Sequence, residues 1–123
     1  MITVLYIFIG GGVGSISRYG MSKLTENYFP SQFPLGTLIS NIISCLILAI
    51  ILYVFENKLN QNTWINPLLL IGFCGGFSTF STFSNESIQL IVNGHWLLAF
   101  LNVLVSIGLA FTLIYWIKVK WEH

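Results

Sequence analysis

Charged residues are scarce in this chain. Only 7% of its 123 residues are Asp, Glu, Lys or Arg, whereas an ordinary soluble domain carries about 25%. Aspartate is absent, so the four acidic residues are all glutamates. A hydrophobic share of 55% and a mean hydropathy of +0.82 are typical of a membrane protein. The net charge of +1 gives no reason to expect nucleic acid as a partner.

Residues that bind metals or form disulfides are equally few. Cys45 and Cys74 lie inside apolar stretches, where a small hydrophobic role is expected rather than a disulfide. His95 and His123 lie in a loop and at the C-terminus, without the clustering that a zinc site needs. The chain also lacks a nucleotide-binding loop and a soluble segment large enough for an active site. We therefore expect a protein that is not an enzyme.

Four apolar stretches account for nearly the whole chain. They cover residues 2–21, 34–55, 67–92 and 96–119. A helix needs roughly 20 residues to cross about 30 Å of hydrocarbon, and each stretch reaches that length. The first has no basic residue ahead of its apolar run, so we interpret it as a retained helix rather than a signal peptide. The sequence predicts an all-α membrane protein, a single domain of residues 1–123 with four transmembrane helices.

Lysine and arginine are divided almost evenly between the two sides of the membrane. With four spans, one side holds Lys58, Lys118 and Lys120, and the other holds Arg18 and Lys23. This is a weak bias under the positive-inside rule. Two explanations stay open: a short chain has few charges to count, or the protein inserts in both orientations and pairs with an inverted copy of itself.

Polar residues recur inside the apolar stretches, where hydrocarbon offers an unpaired polar group no partner. At 3.6 residues per turn they fall on one stripe of each helix. The stripes comprise Thr37, Ser40, Asn41 and Ser44 in the second stretch, and Asn102 and Ser106 in the fourth. Both helix packing and a ligand path explain such stripes. In the first stretch, Gly10, Gly14 and Arg18 follow a spacing that permits close helix approach.

The third stretch contains the run GFCGGFSTFSTFSNE, from Gly72 to Glu86. Because glycine weakens a helix, we expect this helix to be broken near its middle, around Gly75 and Gly76. Broken membrane helices leave carbonyl and N–H groups free, and such ends bind ions where protein or water covers them. After the break, hydroxyl groups, phenyl rings and one carboxylate occupy adjoining stripes.

Neutral hydrogen-bond donors dominate this segment, which has no Lys, Arg or His. Ser and Thr hydroxyls and the Asn41 amide donate hydrogen bonds, and a phenyl ring presents a positive edge. Such groups suit a small, strongly hydrated anion, which would exchange its water for them without being held too tightly to leave.

Four strings in order along the chain resemble the CrcB/Fluc family of fluoride ion channels. They are GGVGSISRY, PLGTLISNIISC, GFCGGFSTFSTFSNE and NVLVS. The resemblance covers essentially the whole chain. It implies a fluoride-selective channel in the cell membrane of a prokaryote, which exports fluoride passively and confers fluoride resistance. It also implies a double-barrelled homodimer of antiparallel subunits in the lipid bilayer, with a sodium ion buried at its centre.

The resemblance assigns a role to individual residues. Phe80 and Phe83 match the family's two pore phenylalanines, and Asn41 matches its pore asparagine. The polar residues assigned to the pore are Thr79, Ser81, Thr82 and Glu86. The carbonyl oxygens of Gly75 and Ser78 match the ligands of the structural sodium ion. This chain has Ser78-Thr79 where the family commonly has Thr-Thr, a change that a backbone ligand should tolerate. For five residues, both a pore role and a packing role stay open: Thr37, Ser40, Asn102, Ser106 and Arg18.

Three alternatives remain beside the homodimeric fluoride channel. A small dual-topology multidrug exporter is built around a glutamate deep in its first helix, and this chain has none between Met1 and Lys23. A noncatalytic scaffold would use its polar stripes only to join helices, so Asn41 and Phe80 could become Leu with little loss beyond stability. A heterodimeric fluoride channel would need a paralogous subunit.

Overall fold

A computed structural model describes residues 1–122, which form helices joined by loops and contain no strand. Four helices are long and apolar enough to cross a membrane, and they confirm the four predicted spans. They are Ile2–Tyr28, Leu35–Val54, Asn66–Val92 and Trp96–Trp121. The chain is therefore a multi-pass membrane protein.

The four spans are built from five α-helices and two π-helical segments, and a sixth α-helix lies in a loop. The first span is α1 (Ile2–Tyr28), and the fourth is α6 (Trp96–Trp121). The second span joins α2 to a π-helix, and a short α3 lies in the loop after it. The third span contains a π-helix and two α-helices. The remaining bounds are α2 Leu35–Ala49, π1 Ile50–Val54, α3 Glu56–Gln61, π2 Asn66–Cys74, α4 Gly75–Phe77 and α5 Phe80–Val92.

Helix α1 extends further than the first apolar stretch, which was predicted to end at residue 21. Its last two turns are polar but suit a helix, because Lys23 Nζ and Glu26 Oε2 form an ion pair of 3.1 Å one turn apart. The helix ends at Tyr28, two positions before Pro30, since the residue before a proline disfavours helical backbone angles.

The third span changes backbone conformation at Ser78 and Thr79. Both residues are extended, with φ/ψ of −82°/158° and −153°/121°. Gly75 has helical angles of −63° and −37°. The extended residues thus lie just after the glycine pair that the sequence singled out, and the glycines themselves stay within the helical segments.

The glycines of the third span contact those of α1. A Cβ atom added to Gly14 would lie 2.8 Å from the Phe77 amide nitrogen, and one added to Gly72 would lie 3.0 Å from the Gly10 Cα. A Cβ on Gly76 would collide with the Gly11 carbonyl. The predicted close approach of the first helix is therefore confirmed, and it explains why α1 packs tightly on π2 and α4.

The two halves of the third span pack against different neighbours. The first half, π2 and α4, lies against α1, whereas α5 lies against α6. Helix α2 contacts both α1 and α6. The extended residues Ser78 and Thr79 are therefore at the junction of the two halves, facing α2.

Substitution of Gly14 by alanine tests this packing. We expect Gly14→Ala to lower the melting temperature of the detergent-solubilised protein, because overpacking a tight contact costs about 1–3 kcal/mol. The control is Gly20→Ala in the same helix, where an added Cβ meets no atom within 4 Å. Equal melting temperatures of the two variants would contradict the proposed helix contact.

Candidate functional site

The side chain of Asn41 pairs with the backbone of Thr79. The Thr79 N–H donates to Asn41 Oδ1 at 2.7 Å, and Asn41 Nδ2 donates to the Thr79 carbonyl at 3.2 Å. Asn41 lies on α2, one turn after Thr37, so the polar stripe of α2 faces the extended residues. The amide supplies the donor and the acceptor that the interrupted helix no longer provides.

Thr79 also forms the N-cap of α5. Its Oγ1 accepts a hydrogen bond from the Thr82 N–H at 3.2 Å, as a threonine at a helix N-terminus commonly does. The same hydroxyl lies 3.1 Å from Thr82 Oγ1 and 3.3 Å from Ser81 Oγ. Three of the predicted pore residues therefore form one cluster of hydroxyls at the start of α5.

Two backbone carbonyls of the first half of the third span, one at the end of π2 and one in α4, accept hydrogen bonds from side chains. The Cys74 carbonyl accepts from Ser44 Oγ at 3.0 Å, from Ser78 Oγ at 2.7 Å and from the Ser78 N–H at 3.0 Å. The Gly76 carbonyl accepts from Arg18 Nε at 3.1 Å. These two oxygens are therefore satisfied within the subunit.

The carbonyls of Gly75 and Ser78 have lost their helical donors. In a continuous helix these donors would be the N–H groups of Thr79 and Thr82, four residues further on. Both N–H groups are diverted, the first to Asn41 Oδ1 and the second to Thr79 Oγ1. Lone carbonyl oxygens at an interrupted membrane helix are ligands of the kind that bind sodium.

A groove of about 240 Å³ opens beside the extended residues. Its lining includes Asn41, Ser78, Thr79, Phe80, Phe83 and Ser106. The Phe80 and Phe83 ring centroids are 6.0 Å apart, with their planes inclined by 40°. Phe80 is 80% exposed, whereas Phe83 is only 9% exposed. The structure thus brings both phenyl rings, an amide and three hydroxyl residues to one groove.

Glu86 lies apart from this groove, in a larger cavity near the loop between α1 and α2. That cavity has a volume of about 690 Å³ and is lined by Thr37 and Glu86 among others. The buried Thr37 hydroxyl donates to Glu86 Oε1 at 2.9 Å. Glu86 Oε2 is buried without a hydrogen-bond partner among residues 1–122. The hydrogen bond between Thr37 and Glu86 therefore links α2 to α5 in the lining of this cavity.

The other candidate residues have distinct surroundings. Asn102 is buried and lies outside the groove lining, where it forms hydrogen bonds with Ser87 and with the groove residue Ser106. Ser40 is fully buried, and its hydroxyl has no partner within the described chain. Arg18 contacts the end of α4 through its hydrogen bond to Gly76.

Two contributions escaped the sequence analysis. Ser44 was assigned only to a stripe, and its bond to the Cys74 carbonyl joins two residues 30 positions apart. Ser87 was assigned no role, although it links Asn102 to the Phe83 carbonyl. The spacing of Ser87 from Phe83, one helical turn, is the only local signal of that link.

Comparison with known proteins places the chain among relatives. A family model described as CrcB-like protein, Camphor Resistance (CrcB), matches residues 5–117. A protein of Coxiella burnetii (strain CbuK_Q154) named fluoride-specific ion channel FluC is 47% identical over 107 residues, 86% of each chain. A protein of the same name from Flavobacterium psychrophilum is 38% identical over 109 residues, 89% of this chain and 88% of the relative. One from Gloeothece citriformis is 42% identical over 110 residues, 87% of this chain and 86% of the relative.

These matches cover nearly the whole chain and confirm the resemblance carried by its four sequence strings. They also agree with four apolar helices rather than with an enzyme's fold. The chain belongs to the CrcB-like family.

Proposed function

We propose that this chain is the subunit of a fluoride-selective ion channel. The observation that carries the proposal is the groove in which the Asn41 amide, hydroxyl groups and the Phe80 and Phe83 rings meet. The names of the relatives, fluoride-specific ion channels, support the same function. The groove lining contains no lysine, arginine or histidine that would hold an anion by charge.

The chemistry of the groove suits a small anion. An ion that leaves water must recover its lost hydration from the protein. The second N–H of the Asn41 amide and the ring edges of Phe80 and Phe83 offer partial positive charge in the groove. The Ser78 and Ser106 hydroxyls would add to it by exchanging their bonds to the Cys74 carbonyl and Asn102 Oδ1 for the ion. Neutral donors bind an anion weakly enough for it to leave again, which conduction requires. Fluoride accepts stronger hydrogen bonds than larger halides, so closely placed neutral donors favour it over chloride.

Passive conduction is sufficient for export. Moving one charge through 100 mV is worth about 2.3 kcal/mol, which is roughly a 50-fold concentration ratio. A membrane potential that is negative inside the cell therefore drives an anion outward through an open pore. Fluoride resistance follows from this direction of flow.

A second, inverted copy of the chain completes the proposed pore. Phe80 lines the groove and is 80% exposed in the single chain. An antiparallel homodimer would cover both copies of this groove and form two pores. A paralogous subunit would serve equally, and the near balance of Lys and Arg between the two sides leaves that alternative.

The carbonyls of Gly75 and Ser78 fit a structural sodium ion. Their helical donors are diverted to Asn41 and to the Thr79 hydroxyl, which leaves the oxygens free for a cation. When bound, sodium would supply positive charge that joins carbonyls of the two subunits. We therefore assign it to assembly rather than to conduction.

Ion flux from vesicles tests the selectivity. Purified protein in vesicles loaded with potassium fluoride should release fluoride once a potassium ionophore is added, because the ionophore removes the opposing charge. Vesicles loaded with potassium chloride should retain their halide. Equal release of both halides would refute the fluoride-selective channel.

Substitution of the two phenylalanines tests the groove. Phe80→Ile and Phe83→Ile should each slow fluoride release roughly twofold to tenfold, because each removes a ring edge from the groove and breaks an aromatic pair worth about 0.5–1.5 kcal/mol beyond its buried area. The dimer should persist in size-exclusion chromatography. Phe8→Ile is the control, since Phe8 is 77% exposed on α1. Unchanged flux in both groove variants would show that this groove is not the ion path.

Sodium removal tests the proposed cation site. We expect the melting temperature of the dimer to fall when sodium is replaced by N-methylglucamine at constant ionic strength, because a ligand that binds only the folded state stabilises it. Fluoride release by dimers that remain assembled should change less. The same melting temperature in both buffers would argue against a sodium ion at Gly75 and Ser78.

A further inference from the structure

Helix α5 starts anew after the extended residues, so its orientation is not inherited from α4. Three hydrogen-bonded links between α5 or its cap and the neighbouring helices, here called ties, set its orientation instead. At its N-terminus, Asn41 holds the cap residue Thr79. Two turns further along, Thr37 of α2 bonds to Glu86. The adjacent residue Ser87 bonds to α6, and this third tie is the one that faces Phe83.

The third tie is a buried chain of hydrogen bonds. Asn102 Nδ2 donates to Ser87 Oγ at 2.9 Å, and Ser87 Oγ donates to the Phe83 carbonyl at 2.8 Å. On the other side, Ser106 Oγ donates to Asn102 Oδ1 at 3.4 Å. Asn102 is 1% exposed and Ser87 is 8% exposed. Because this chain is buried, water does not compete for its donors and acceptors.

The direction of these bonds fixes the Ser87 hydroxyl. A serine hydroxyl has one proton to donate and accepts through its oxygen lone pairs. Since Asn102 donates to that oxygen, the Ser87 proton is left for the Phe83 carbonyl. The α6 helix thereby holds the backbone of a groove residue through one intermediary.

Phe80 provides an internal comparison. Ser84 Oγ donates to the Phe80 carbonyl at 2.9 Å, which is the same bond one turn along the helix. That bond is exposed, and within residues 1–122 no second helix forms a hydrogen bond with the Ser84 side chain. Phe80 is 80% exposed, whereas Phe83, held through Ser87 and Asn102, is 9% exposed. The backbone of Phe83 is thus linked to a second helix, whereas the bond at Phe80 stays within α5.

We infer that Asn102 is a positioning residue, which fixes the rotation of α5 through Ser87 and so directs the Phe83 ring into the groove. This inference rests on the proposed function, because it gives Phe83 a role in ion conduction. Asn102 itself lies outside the groove lining, so its role is to position Phe83.

A double-mutant cycle on fluoride release tests the inference. Ser87→Ala and Asn102→Leu should each slow release about fivefold, the value of one net hydrogen bond. In the Phe83→Ile background, the same substitutions should add little further slowing, because the residue through which they act has gone. The matched control, Ser84→Ala, should change release less than Ser87→Ala. Multiplicative slowing in the double variants would overturn the inference, since it would mean a general structural role.

A second readout does not depend on flux. In protein labelled with ring ¹³C phenylalanine, Ser87→Ala should shift and broaden the Phe83 ring signals in the NMR spectrum and leave those of Phe8 unchanged. Signals are assigned by Phe83→Leu and Phe8→Leu. Unchanged Phe83 signals would overturn the positioning role even if the parent protein conducts fluoride. Altered Phe83 signals in a parent that releases no fluoride would support the tie and refute the proposed function instead.

Discussion

The pairing of the Asn41 side-chain amide with the backbone N–H and carbonyl of one residue, Thr79, controls the architecture of the site. Inside a membrane, every unpaired backbone group costs several kcal/mol, so a helix is rarely interrupted there. Asn41 offers both an acceptor and a donor to Thr79, at 2.7 and 3.2 Å. It thereby replaces the hydrogen bonds that extended backbone at Thr79 gives up. The extended residues can persist at the depth of the membrane because α2 presents this amide to them.

The same pairing has a second consequence. Once the Thr79 N–H donates to Asn41, the Gly75 carbonyl has no helical donor. The Thr82 N–H donates to the Thr79 hydroxyl, so the Ser78 carbonyl has no helical donor either. The end of α4 and the start of α5 therefore expose carbonyl oxygens on one side and a cluster of hydroxyls on the other. Groups of opposite polarity therefore lie at neighbouring helix ends, and the proposed cation site and the proposed anion path each draw on one of them.

The glycines of the third span allow close helix packing, although their low helix propensity predicts a break in the helix. Gly72 and Gly76 weaken a helix in principle, but both remain in helical segments and let α1 approach through Gly10 and Gly11. The first half of the third span is thus held by backbone contact, while α5 is held by polar side chains such as Glu86 and Ser87. Packing fixes one half and hydrogen bonds fix the other, so the junction between them is well defined.

The sequence by itself determined the membrane class, the four spans and the family, because composition and hydrophobic length are local properties and the family strings follow one another along the chain. It also singled out Asn41, Phe80 and Phe83. Only the tertiary structure decided that the extended residues are Ser78 and Thr79, since their partner Asn41 lies 38 positions away. The link from Asn102 to Phe83 likewise depends on how α6 packs against α5. Hydrogen-bond partners in a buried interface are set by helix packing, which no local pattern records.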